Sequence, residues 1–428
     1  MSGGPDLPWA QAHPGRRPPG ARGRVRRGWL ASVFGLAALA LGLSAPARAQ
    51  APPAAAQQTI RIGYLTIEEE PRIPLSFLNP ELEDEGVQGA RLAIADNATT
   101  GRFMNQRYEL VEVVLKPDAD VAEGIRKLAA DGVRLVAADL KREALLAAAG
   151  APEAREMLIF NARAKDDSLR NEECRANVLH TAPSRRMLAD ALVQYLAWKK
   201  WTDLRLIVGP AAGDKQYAEA VRRAARRFGA RIVQDDAWTF EIGNRRVDTG
   251  HVTIQSEIPT ATQGKDHHVL IVADEEDTFG EYLPYRTWIP RPVAGTQGLV
   301  PTAWSRTHEQ WGGTQLQSRF EKHAGRWMTE RDYTVWMAVR AVGEAATRTR
   351  SVDPAKLMEF INGPDFGLAA FKGQALTFRP WDGQLRQPVL LASPRMLVSV
   401  SPQEGFLHQA STLDTLGDDR PESQCKGR

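Results

Sequence analysis

Two acidic clusters stand where a small molecule would meet this chain. Asp274-Glu275-Glu276-Asp277 follows an apolar run, His268 to Ala273, that reads as a strand. Glu68-Glu69-Glu70 opens a loop from Thr66 to Glu83, again just past a strand. Ligands of open α/β sheets gather outside the carboxyl ends of strands, so this loop is a candidate wall of a site. As a run, Asp274 to Asp277 reads as a solvated loop, with one member, Glu275, placed to face a ligand. Enzyme signatures are absent: the sequence contains no G-x-S-x-G, H-E-x-x-H, G-x-x-x-x-G-K or G-x-G-x-x-G. The eight histidines are scattered, and His267-His268 has no partner at metal-ligand spacing. No catalytic residue, metal or cofactor is therefore expected. Tyr285, Trp288 and Trp304 are candidates to line a cleft, although core or surface packing is the commoner fate of such residues. Trp327 and Trp336 sit on helical stretches and read as packing.

These residues must be positioned by alternating strands and helices. Thr59 to Leu65 alternates apolar positions, and Val87 to Ile94 carries an apolar stripe at helical spacing behind Asp84 and Glu85. Strands follow at Tyr108–Leu115, Val133–Ala138 and Met157–Phe160, with helices at Val121–Asp131 and Arg142–Ala149. The pattern restarts after Val178–Thr181. Ser184 caps a helix to Trp198, Leu204–Val208 is a strand, Lys215–Phe228 a helix, and Ala230–Val233 and His268–Ala273 are strands. Such alternation predicts parallel sheets wrapped by helices. The stretch from Asp236 to Asp266 is too long for a plain loop and has room for a helix. Helices are then expected at His308–His323, Asp332–Arg348 and Pro354–Ile361. A hairpin about Asp382-Gly383, a strand at Met396–Val400 and a loose polar tail after Gln409 complete the chain.

A chain of 428 residues predicts two or three domains. The formal charge of +3 is carried by the leader, since the first 49 residues hold seven Arg and one Asp and the remainder sums to about −3. That balance gives no support for nucleic-acid binding. Arg-rich residues 1–28, apolar Trp29 to Leu43 and the small-residue motif Ala47-Arg48-Ala49 read as a cleavable secretory signal, the alternative being an uncleaved anchor. Arg26-Arg27 leaves general and twin-arginine export both open. Cys174 and Cys425 are compatible with one disulfide or two thiols.

Arg61 to Leu65 followed by Gly86-Val87-Gln88-Gly89-Ala90-Arg91-Leu92-Ala93-Ile94-Ala95-Asp96-Asn97 resembles the start of a type I periplasmic binding protein, the family of leucine/isoleucine/valine-binding proteins. The wording PRIPLSFLNPELEDEGVQGARLAIADN, with Trp381-Asp382-Gly383-Gln384-Leu385-Arg386-Gln387-Pro388 and Ser401-Pro402-Gln403-Glu404-Gly405-Phe406-Leu407-His408, is similar to one subgroup. Its members are ABC-transporter substrate-binding proteins associated with pyrroloquinoline-quinone (PQQ)-dependent alcohol dehydrogenase systems. The resemblance implies an α/β fold of two lobes, each a mostly parallel sheet flanked by helices, joined by a hinge of three crossings near Val178–Thr181, Val300–Trp304 and Phe378–Gln387. It divides the chain into a signal peptide (1–49), a first lobe (59–180 with 303–380), a second lobe (181–302 with 381–409) and a polar tail (410–428).

The same resemblance transfers ligand positions. Ala138 and Asp139 stand where the amino-acid-binding members place a small hydroxyl residue. Arg163, Ala164 and Lys165 fall in the segment that holds the ligand's carboxylate and amine. Tyr217 matches the tyrosine that closes from the second lobe, and Gln297 replaces the acid that meets the ligand's ammonium. Asp139 pairs either with Arg163 or with the ligand, since a buried charge needs a partner. A carboxylate would meet Arg163 and Lys165, while an ammonium would lose its partner at Gln297. The expected protein is thus a periplasmic binding component, not an enzyme. It holds a small polar or anionic molecule, rather than a plain branched-chain amino acid, for a membrane permease. An accessory or sensor protein docking on a quinoprotein dehydrogenase, without transport, is the alternative.

Overall fold

A computed structural model describes residues 57–70, 82–239 and 248–428, with backbone alone for 248–254. The expected leader and the middle of the loop after the first strand (71–81) lie outside these residues.

The first sheet contains β1 (Gln58–Ile67), β2 (Gln106–Leu115), β3 (Leu135–Asp139), β4 (Leu158–Asn161) and β5 (Val178–His180), all parallel, in the order β2-β1-β3-β4-β5. Its helices are α1 (Val87–Gly101), α2 (Val121–Ala130) and α3 (Arg142–Gly150). Period-two alternation sends Ile60, Ile62 and Tyr64 into one core and Leu65 into another, so both faces of the sheet are covered. The second sheet repeats the plan with α4 (Arg185–Trp198), β6 (Asp203–Val208), α5 (Ala212–Phe228), β7 (Arg231–Ala237), α6 (Asp248–Ala261), β8 (Val269–Ala273), α7 (Leu283–Arg286) and β9 (Val293–Gly295). Its parallel order is β7-β6-β8-β9. Strand β8 is buried throughout, Val269, Ile271 and Ala273 toward one core and Leu270 and Val272 toward the other. The helix suspected between Asp236 and Asp266 is α6.

Next come β10 (Val300–Thr302), α8 (Gly313–Ala324), α9 (Glu330–Thr349), α10 (Pro354–Asn362), β11 (Leu368–Ala369) and β12 (Ala375–Leu376). An antiparallel pair, β13 (Val389–Ser393) and β14 (Met396–Ser401), joins β10. Helix α9 is buried on most of its surface because it lies between α1 and the first sheet. Thr329 and Asp332 form a reciprocal cap at its start, and Asp332 also accepts the Gly86 N–H at 2.8 Å. This cap fixes the first turn of α9, and with it Glu330 and Arg331.

Three expectations need correction. The hairpin about Asp382-Gly383 shrinks to a single bridge, Phe378 to Leu385, and the longer hairpin is β13–β14. The helix expected from His308 begins at Gly313, because Trp311 and Gly312 both have positive φ (50° and 84°) and interrupt it. The segment after Gln409 is not loose. Leu413, Asp414 and Leu416 are buried, and Cys425 is disulfide-bonded to Cys174. Of the three segments expected to cross between lobes, the first and third meet, since His180 bridges Gln384 and Gln387 donates to the Thr181 carbonyl at 2.8 Å; beside them the Lys372 ammonium donates to the carbonyls of Ala303 and Pro388.

Candidate ligand site

In both sheets the strand order reverses around the first strand, which opens a gap between the loops leaving it and its later neighbour. In the first sheet those loops follow β1 and β3. A cavity of about 490 Å³ lies there, with Glu69, Asp139, Lys141, Ala144 and Arg163 among its walls.

Asp139 is fully buried at the end of β3. Arg331, carried by the first turn of α9, grips its carboxylate from Nε at 2.6 and 2.7 Å, and the Tyr64 hydroxyl donates at 2.7 Å. Burial alone would lower the Arg331 pKa, but Asp139 outweighs it and raises it. Burial first, and the Asp139 charge second, push the Tyr64 phenol up. Gly86 is required here: its φ is +82°, and a Cβ would collide with the Asp139 carboxylate. The Asp139–Arg163 pair weighed above does not form, and Arg331 takes that place.

Arg163 instead donates from Nη2 to Glu69 at 2.5 Å. The other Glu69 oxygen lies 2.8 Å from the Lys141 ammonium, and Arg331 is 3.6 Å from the oxygen that Arg163 holds. Burial opposes ionisation of Glu69, but Lys141 and Arg163 prevail and hold its pKa at about 2. Ala164 turns its methyl into the core, and its carbonyl accepts from Asn161 and Arg170 at 2.8 and 2.9 Å. Lys165 pairs with Glu330 at 2.7 Å. Burial would lower the Lys165 pKa, but the charges of Glu330 and Glu275 raise it. Glu330 also accepts from the Ala303 N–H (2.6 Å) and the Thr302 hydroxyl (2.9 Å).

Beside this pair, Arg185 at the start of α4 forms a two-pronged bond to Glu275, with Nη2 at 2.6 Å and Nε at 3.0 Å. It is also ion-paired with Asp166 at 3.2 Å. Its backbone N–H donates to the Lys165 carbonyl at 2.9 Å, which ties the start of α4 to the loop after β4. Tyr217 of α5 is 2% exposed, and its hydroxyl has no hydrogen-bond partner among the described residues. Burial, then the Glu275 charge, push its pKa up. Gln297 donates to Asp277 at 2.5 Å.

The corresponding gap in the second sheet, between β6 and β8, is flanked by two buried carboxylates bonded to backbone N–H groups. Asp274 is fully buried and accepts the N–H groups of Thr278, Phe279 and Gly280 at 2.7–2.8 Å, with the Thr278 hydroxyl at 2.8 Å. Asp214 accepts from the N–H groups of Ala211 and Glu275 at 3.0 and 2.6 Å. Burial pushes its carboxyl up to about 6. The run Asp274 to Asp277 is thus not a solvated loop at its first two members.

Of the predicted residues, Asp139 and Arg163 share the cavity. Lys165 and Glu275 belong to the adjoining charge network, within whose field Tyr217 lies. Gln297 sits by Asp277. Glu69, Lys141, Arg185, Glu330 and Arg331 were missed as individuals. Lys141 was findable, two residues past the strand end at Asp139, whereas Arg331 is 192 residues away from it in sequence. Tyr285 and Trp288 are surface residues (79% and 60% exposed), and Trp304 is buried against Tyr333 with ring centres 4.6 Å apart. Trp336 is packed as expected, but Trp327 is half exposed beneath the Arg306 guanidinium. A larger hollow of about 770 Å³, bordered by Arg306, Trp311, Trp327 and β14, contains none of the predicted residues.

Residues 73–243 match the family model described as periplasmic binding protein. The chain has the fold of the type I periplasmic binding proteins. A branched-chain amino acid ABC-transporter ligand-binding protein from Burkholderia xenovorans superposes with a TM-score of 0.66 at 15% identity, covering 86% of this chain and 99% of that one. A leucine-, isoleucine-, valine-, threonine- and alanine-binding protein from Brucella ovis, in a closed conformation, gives 0.62 at 13% identity over 86% and 98%. A Streptococcus pneumoniae branched-chain amino acid binding protein, solved with isoleucine, gives 0.58 at 14% identity over 80% and 99%. No curated protein sequence matches this chain.

Proposed function

We propose that this chain is the periplasmic substrate-binding component of an ABC transporter and holds one small polar molecule at the cavity between β1 and β3. The observation that carries this reading is the position of that cavity. It lies at the strand-order reversal of the first sheet, and its walls include Asp139 and Arg163, two of the residues transferred by the resemblance. Residues 59–180 with 303–380 form the first lobe and 181–302 with 381–409 the second. Closure about the three adjoining crossings brings Tyr217 and Glu275 over the ligand. The unpartnered Tyr217 hydroxyl supports this, since a buried hydroxyl without a partner is costly unless something completes it.

The charge pairing favours an uncharged or zwitterionic ligand over a simple anion. Arg163, Lys141, Lys165, Arg185 and Arg331 each have a carboxylate oxygen within 2.8 Å. A free anion would have to displace one. The link to a PQQ-dependent alcohol dehydrogenase rests on sequence wording alone, and it directs the choice of ligands toward polar products of alcohol metabolism. Calorimetry of the exported protein with diols, hydroxy acids, amino acids and simple carboxylates tests the reading. Saturable binding of a neutral or zwitterionic member is the expected outcome, and no response to any class would overturn it.

A further inference from the structure

We propose that Glu69 sets the charge selectivity of this cavity, acting as a resident counter-ion on Lys141 and Arg163 that keeps free carboxylates out. The inference rests on the cavity being the ligand site. Three loops supply the three groups: Glu69 follows β1, Lys141 follows β3, and Arg163 follows β4. All three line the same 490 Å³ space. Each carboxylate oxygen of Glu69 is committed to a different cation, at 2.5 and 2.8 Å, with Arg331 behind at 3.6 Å. Arg331 is itself taken by Asp139, so among the described residues Lys141 and Arg163 are the cations whose nearest anion is Glu69.

A tethered carboxylate has a large advantage over a free one. Its effective concentration is on the order of millimolar or above, and it loses no translational freedom on pairing. A small carboxylate that binds such a pair only weakly cannot compete. Without the Glu69 charge, two cations would face an open cavity, an arrangement that strongly attracts carboxylates. Of the other acids lining the cavity, Glu68 is engaged with Lys116 at 2.7 Å and Glu143 with Arg142 at 2.9 Å, which leaves Glu70 as the one to swing in.

The test uses the exported full-length protein and sodium glycolate as probe, followed by calorimetry and chemical-shift titration. Glu69→Gln, and Glu69→Gln with Glu70→Gln to remove the neighbouring acid, should each bind glycolate about tenfold tighter than the parent. Adding Arg163→Gln should abolish the gain, and raising the ionic strength should shrink it. Equal or weaker binding by both Glu69 variants, or a gain that survives Arg163→Gln, would overturn the proposal. The readout is independent of the natural ligand. If the parent carries a natural ligand but the variants gain nothing, this inference alone fails. If the variants gain glycolate binding while the parent binds no candidate ligand, the functional reading fails and the assignment of Glu69 stands.

Discussion

Between β1 and β3 the walls of the gap are joined side chain to side chain; between β6 and β8 the equivalent place is laced to the backbone. At the first, the partly exposed set Arg163–Glu69–Lys141 lines about 490 Å³ of space, with the buried pair Arg331–Asp139 behind it. At the second, Asp274 and Asp214 accept five backbone N–H groups between them. The difference has an energetic meaning. A partly exposed ion pair is worth little and can be exchanged for a ligand's polar groups. A buried carboxylate satisfying several N–H groups cannot let go without orphaning them. The first gap is therefore suited to capture, and the second to holding Arg185, Glu275 and Tyr217 in fixed positions.

Substitutions should rank these groups by their burial, from fully buried Asp139 and Asp274 to half-exposed Glu69. Arg331→Met leaves Asp139 buried with Tyr64 as its remaining side-chain partner, and chemical denaturation should show a loss of about 3–5 kcal/mol. Adding Asp139→Asn should recover much of that loss. Asp274→Ala orphans three N–H groups in the second gap and should cost about 2–3 kcal/mol. Glu69→Gln, at a pair that is partly in water, should cost less than about 1 kcal/mol. A Glu69 variant that destabilises as much as the Asp274 variant would erase the contrast.

The two gaps should also respond to pH with opposite sign. Glu69 has its pKa lowered from 4.5 to about 2. Its contribution to stability is present above pH 4.5 and is lost as pH falls toward 2. Asp214 is raised from 3.8 to about 6 by burial. The folded state then holds the proton longer than the unfolded one, so this group's contribution declines as pH climbs from about 3.8 through 6. Carboxyl-carbon NMR titration should find the two midpoints on opposite sides of the ordinary range; matching midpoints would contradict the comparison.

Much of the fold was legible in the sequence because apolar periodicity is local. Strands such as β1 and β8 and helices such as α5 follow from residues within a few positions of one another. Strands of three residues, β9 and β10, carry too little pattern to stand out. The site was legible only in part. Asp139 and Glu275 sit at strand ends, where a general rule looks for them. Their partners Arg331 and Arg185 arrive from helix starts distant in the chain, and no spacing rule links them. The anchored C-terminal segment was missed for the same reason: Cys425 is 251 residues from Cys174, and Asp414 finds Arg379 and Arg386 only after folding.

The most direct test of the proposed capture site is native mass spectrometry of the protein released gently from its native host, beside an Ala144→Trp variant that fills the cavity. The account predicts a small-molecule adduct on the parent and its loss from the variant, with folding unchanged by circular dichroism. An adduct retained at full occupancy by the Ala144→Trp protein would place the guest elsewhere and contradict it.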